Sequence, residues 1–281
     1  ANSLDQIEAA LPDILSVSYS TRGEEVARHL ADGSNRSFQW DALGRPVACT
    51  KTGSVGGSVT VEWTHDGFGR LVARDDLAGA TNRYRYLGQT LLVSESSVDG
   101  TREYIPGFDL SEPLCRLRNG SELKYLHTGP FGNVEALHDG TSVSAEFDYD
   151  PFGAPRNAAT GLPVAANGDN ELYFLGKLYD AEFKVAWLGA RLYDPELGRF
   201  LSRDPLGEGV APSLYSYAFQ NPYRWADPSG YHGQSTAKPT IPSPTRPLTA
   251  VADVGLFGIF VPFGPFGVGG MFGRFGPLDP L

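Results

Sequence analysis

The side chains best placed to do chemistry in this chain are carboxylates set in turns. Asp204 stands in Arg203-Asp-Pro-Leu-Gly207 and Asp227 in Ala226-Asp-Pro-Ser-Gly230. Two carboxylates held close cannot both ionise easily, so they share a proton and one acts as base while the other acts as acid. Spacing alone leaves a second reading open, because Asp150 and Asp194 carry the same Asp-Pro dipeptide in ordinary turns. Other chemistry is sparse. His29, His65, His127, His138 and His232 are scattered with no HExxH pairing, so no metal site is expected. There is no Ser-His-Asp set, P-loop or GxGxxG leading into a helix, and no cofactor is expected. Cys49 and Cys115 are too few for a disulfide scaffold. They read either as one pair or as two small buried apolar side chains.

The elements carrying these turns must be short. Among 281 residues there are 34 glycines and 21 prolines, too many for a long-helix protein. Aromatic residues make up 12%, too many for a disordered chain. The composition therefore predicts an all-β, turn-rich fold. Lys and Arg number 23 against 33 Asp and Glu, a net charge of −10. Such a chain repels phosphate backbones, which argues against a nucleic-acid partner, and it has no basic cluster for an anionic membrane. It opens on Ala1 rather than Met, as a processed terminus or a fragment does.

Along the chain, residues 1–35 are expected to be helical in part. Leu4, Ile7, Leu11 and Leu15 fall at helical steps over Asn2 to Leu15, with Ser3 and Gln6 as a capping box. A second short helical piece is expected from Glu24 to Leu30. From residue 36 to 172 the pattern becomes short alternating runs such as Ser58-Val-Thr-Val-Glu-Trp63, which predict hairpin strands. The turns between them repeat: Trp40-Asp-Ala-Leu-Gly-Arg45, His65-Asp-Gly-Phe-Gly-Arg70, Tyr149-Asp-Pro-Phe-Gly-Ala154 and Tyr193-Asp-Pro-Glu-Leu-Gly-Arg199, with a degenerate copy at Thr128-Gly-Pro-Phe-Gly-Asn133. In each full copy an Asp (Asp41, Asp66, Asp150, Asp194) can bond the backbone two residues on and nucleate the turn. The Gly that follows (Gly44, Gly69, Gly153, Gly198) supplies the positive φ that closes it. A lone hairpin cannot bury a face, so the copies must lie side by side in one growing sheet.

These turns resemble the YD-repeat, or Rhs, family. The stretch Tyr173 to Gly207, containing Leu-Tyr-Asp-Pro-Glu-Leu-Gly-Arg-Phe-Leu-Ser-Arg-Asp-Pro-Leu-Gly, and its continuation Leu214 to Gly230 resemble the Rhs-associated core that closes the repeats, here 173–230. The resemblance implies a β-sheet strip that spirals into a shell. Bacterial Rhs proteins and insecticidal toxin complexes use such a shell to encapsulate a C-terminal toxin, and teneurins use it for adhesion. It also implies self-cleavage just past the last DPxG motif, near Tyr231-His232, by Asp204 and Asp227. Arg203 would hold the ionised partner or the developing oxyanion, while Arg191 and Arg199 would make structural salt bridges.

After the core, residues 231–250 read as a Pro-rich linker and 251–281 as an apolar Gly/Phe-rich tail. The tail is too interrupted by glycine and proline for a spanning helix and must pack inside the shell or into a neighbour. Two functions remain open. The chain is a shell segment that encloses its own C-terminal segment and cleaves itself, exported as part of a toxin-delivery system. Alternatively it is a structural subunit that pairs edge to edge with further copies, or with an upstream YD-repeat shell, in an extracellular tube or filament.

Overall fold

The computed structural model describes residues 6–7, 13–53, 57–107, 112–165, 168–207, 213–231 and 233–235, all within one unit, Ala1–Pro239. Fourteen antiparallel strands, from β1 (Ile14–Tyr19) through β2 (Glu25–Leu30) and β3 (Asn35–Trp40) to β14 (Pro155–Asn157), form one sheet in chain order with no crossover. The alternation read from Ser58-Val-Thr-Val-Glu-Trp63 is realised: Val61 and Trp63 are buried on one face and Glu62 points away. Phe38, Leu71, Tyr84, Tyr104 and Leu137 continue that apolar face.

The repeated turns link to one another along the chain. Asp41 Oδ1 accepts the N–H groups of Leu43 and Arg45, and Asp66 Oδ1 those of Phe68 and Arg70. Gly44 and Gly69 take φ values of 75° and 79°. The arginine of each turn has a second task. Arg22 donates to the carbonyls of Asp41 and Ala42, Arg45 to that of Asp66, and Arg70 to that of Gly88. Each turn thus satisfies backbone acceptors of the next one.

Residues 169–201 return across the apolar face. They carry a four-stranded sheet of β15 (Tyr179–Asp180), β16 (Val185–Leu188), β17 (Arg191–Asp194) and β18 (Arg199–Phe200); every residue of β16 and β17 is buried. Trp187 meets Trp63 edge-on at 5.1 Å, and Tyr173 meets Phe147 at 5.0 Å. Polar pairs run through the same contact. Arg28 binds Asp194 at 2.5 Å, Arg36 donates to the Phe183 carbonyl at 2.9 Å, and Lys51 binds Glu182 at 2.9 Å. Arg74 then binds Asp180 at 2.7 Å, Tyr104 donates to Glu171 at 2.7 Å, and Arg116 binds Asp169 at 3.0 Å. As the strip residue number rises its partner's falls, so the segment runs back from the late hairpins to the first.

Two sequence-based expectations are corrected. Glu24–Leu30, expected as helix, is strand β2, and Ile14 and Leu15, expected at a helix end, begin β1. Glu25 and Arg28 are buried in a charged cluster with Asp194, and that tertiary contact overrides local helix propensity. Residues 1–5, 8–12 and the linker and tail from 236 on lie outside the described residues. Cys49 and Cys115 are both free, on separate strands; Cys49 is fully buried, which pushes its thiol pKa well up. No helix among the described residues is long and apolar enough to cross a membrane.

Removing Arg28 strands two buried carboxylates. Arg28→Met is expected to cost about 3–5 kcal/mol in urea unfolding, whereas Arg85→Ala, which breaks the exposed pair with Glu95, costs under about 1 kcal/mol. Burial against Trp187, with help from Arg45, lowers the His65 pKa to about 4 from 6.5. The unfolded chain then binds the proton more readily, so stability falls as pH drops from 6.5 to 4. Urea melts across that range should show a shallower fall for His65→Gln.

Candidate functional site

The closing turns bring Asp204 and Asp227 onto one guanidinium. Arg191 opens β17, Asp204 follows β18, and Asp227 follows the short strand β19 (Trp225–Ala226), which pairs with β20 (Gln234–Ser235). Arg191 Nη2 lies 3.0 Å from Asp204 Oδ2 and 3.2 Å from Asp227 Oδ2, so those oxygens are at most about 6 Å apart. Arg191 and Asp227 are almost fully buried, and Asp204 is 8% exposed.

The remaining polar atoms are used as well. Arg191 Nε donates to the Gly230 carbonyl at 2.5 Å and Nη1 to that of Leu214 at 3.4 Å, while its guanidinium stacks over the Phe200 ring at 3.6 Å. Asp204 Oδ1 accepts the N–H of Leu206 at 2.8 Å. Asp227 Oδ1 accepts the Ser229 hydroxyl at 3.0 Å and the Tyr231 N–H at 3.2 Å. Burial pulls the Arg191 pKa down from its ordinary value, and the two carboxylates oppose that pull.

Glycine is required where the last turn meets the core. A Cβ at Gly230 (φ 69°) would overlap the Leu188 carbonyl oxygen, and one at Gly189 (φ 55°) would overlap that of Ser229. The Ala190 N–H donates to the same Ser229 carbonyl at 2.9 Å. This close backbone contact carries residues 229–231 past the acid pair.

The structure brings together Asp204, Asp227 and Tyr231 from the sequence-derived set. His232 lies outside the described residues. Arg203 is a correction: it makes no ion pair among the described residues, its Nε is buried without a hydrogen-bond partner, and it packs against Gly23. Arg191, read as a structural arginine, holds both carboxylates. Its place in the Arg-Leu-Tyr-Asp stretch was visible in sequence, but nothing local indicated which carboxylates it would meet. Arg199 stacks on Tyr215 at 4.9 Å. Asp150 and Asp194 serve elsewhere, Asp150 within its own turn and Asp194 against Arg28.

No family model matches the chain. The tRNA3(Ser)-specific nuclease WapA of Bacillus spizizenii is 30% identical over 224 residues, covering 77% of this chain and 9% of its own length. The probable deoxyribonuclease RhsA of Dickeya dadantii is 28% identical over 180 residues, covering 60% of this chain and 12% of its own. The Tc holotoxin pore of Photorhabdus luminescens superposes with a TM-score of 0.55 at 18% identity, over 78% of this chain and 13% of that one. This chain thus spans only about a tenth of the length of these proteins.

Arg191→Met would leave Asp204 and Asp227 buried without a countercharge. It should lower the urea midpoint by the equivalent of about 3–5 kcal/mol. Arg191→Lys should recover only part of that loss, because an ammonium cannot reach four acceptors in one plane.

Proposed function

The chain belongs to the YD-repeat, or Rhs, family, and on that premise we propose that it is the closing segment of a β shell that cuts its own backbone after Tyr231. The observation that carries this reading is the single buried guanidinium bridging Asp204 and Asp227 while it also holds the Gly230 carbonyl. The Gly230–Tyr231 peptide is engaged on both sides, its carbonyl by Arg191 and its N–H by Asp227, and acts as an anchor. The next peptide bond, Tyr231–His232, is the first one beyond the anchor and is the bond to be cut.

In the reaction one carboxylate takes a proton from water as the water oxygen attacks the Tyr231 carbonyl carbon. The other, protonated, gives its proton to the His232 nitrogen as the C–N bond breaks. The products are a carboxyl group at Tyr231 and an amino group at His232. Arg191 holds the acids in register and offsets their charge. Each chain reacts once, because the scissile bond is part of the same fold. The family setting supports export and delivery of a C-terminal segment, with the β wall around it.

The edge-to-edge reading keeps one supporting observation: β1 ends the fourteen-stranded sheet, and a further hairpin or a second copy could pair with it. Sizing separates the two readings, since discrete particles oppose a filament and long filaments oppose a container.

Intact mass tests the cleavage. Wild type should yield a fragment ending at Tyr231 and a released piece of about 50 residues, 232–281. Asp227→Asn and Asp204→Asn should stay full length, and Arg203→Gln should still be cut. A wild-type chain that stays intact after prolonged incubation would end the protease reading.

A further inference from the structure

A cavity of about 120 Å3 lies between the hairpin strip and the returning segment, and neither Asp204 nor Asp227 lines it. The strip contributes Tyr84 from β7 (Thr81–Leu87) and Arg102 from β9 (Gly100–Pro106), and the returning segment contributes Asn170. Three polar atoms on these side chains have no partner among the described residues. Arg102 is 4% exposed and Asn170 6%, yet Arg102 Nε and Asn170 Oδ1 are buried without a hydrogen bond. The Tyr84 hydroxyl makes none either, and burial pushes its pKa well up, so it keeps its proton. Two of these side chains are nevertheless fixed in place. Arg102 Nη2 donates to Asp99 Oδ2 at 3.4 Å, and Asn170 Nδ2 donates to the Leu172 carbonyl.

The wall sets the chemistry of what fits. Its charges already neutralise one another: Arg74 binds Asp180 at 2.7 Å, Arg102 lies 3.6 Å from Glu171, and Glu182 is taken by Lys51 at 2.9 Å. No uncompensated charge is left to select an ion, so the occupant is neutral. The unpartnered atoms ask for both donors and acceptors, and a hydroxyl group is both. Leu71, Leu178 and Trp187 form an apolar side of the same cavity. A water there lacks the roughly two to four polar partners that hold a buried water, whereas a carbon chain suits it. An apolar cavity of roughly 150 Å3 takes one benzene ring, so this one has room for about six non-hydrogen atoms.

We infer that this cavity binds a small neutral polyol of about the size of glycerol, with its hydroxyls on Arg102 Nε, Asn170 Oδ1 and the Tyr84 hydroxyl and its carbons against Trp187. Such a ligand touches both layers at once. It fastens the returning segment to the strip and stabilises the folded chain by mass action. The inference goes beyond the shell reading and holds whether or not the chain cuts itself.

Saturation-transfer NMR of the full-length chain, with glycerol as the probe, tests it. The signal should saturate with glycerol concentration, and propane-1,3-diol, which lacks the central hydroxyl, should compete less well than glycerol itself. Tyr84→Phe should weaken binding about fivefold, the net effect of one hydrogen bond, with the glycerol-free thermal midpoint unchanged. Ala181→Leu, which fills the cavity from its own wall, should abolish the saturable signal. A signal that only rises linearly with glycerol, or one equal in wild type and both variants, overturns the inference. So does a crystal structure grown in glycerol that shows water alone at Arg102 Nε and Asn170 Oδ1.

Discussion

Residues 169–194 are clamped to the hairpin strip by charges that neither partner could bury alone. Arg28 and Asp194 are both essentially excluded from water, and Arg36, Arg74 and Arg116 find their acceptors on the same returning segment. Burying an unpaired charge costs several kcal/mol, so each pair specifies where the segment crosses the strip more sharply than apolar contact does. The aromatic pairs Trp63–Trp187 and Phe147–Tyr173 supply attraction between the layers, and the ionic pairs supply register. Without that register Arg191 would not reach the turns that carry Asp204 and Asp227.

The acid pair follows from the same principle on a smaller scale. Arg191 satisfies two carboxylates and two backbone carbonyls, and Phe200 covers its face. The last turn can approach this guanidinium only because Gly189 and Gly230 lack side chains. A site so completely hydrogen-bonded is rigid, which suits a reaction whose substrate is already covalently in place. In the proposed reaction, binding costs almost nothing in entropy.

The repeat architecture was legible from local pattern because its causes are local. An Asp that bonds its own turn and a Gly with positive φ act within five residues, and the structure uses Asp41–Gly44 and Asp66–Gly69 in that way. The forward reach of Arg45 and Arg70 to the next turn was not legible, although both arginines stood in the motif, because it depends on how adjacent hairpins stack. Strand β2, expected as helix, was not legible for a related reason: only the distant Asp194 shows why Glu25 and Arg28 are buried in a strand.

What the amino-acid order determined by itself was the β class, the repeated turns and the two Asp-Pro-x-Gly motifs, since each rests on torsion preferences and hydrogen bonds within a few residues. Only the tertiary structure decided that Arg191 rather than Arg203 joins the acids, and that Asp150 and Asp194 do not. Those assignments depend on which buried charge finds which partner across 13 to 166 positions of chain, and proximity of that kind exists only once the returning segment has docked.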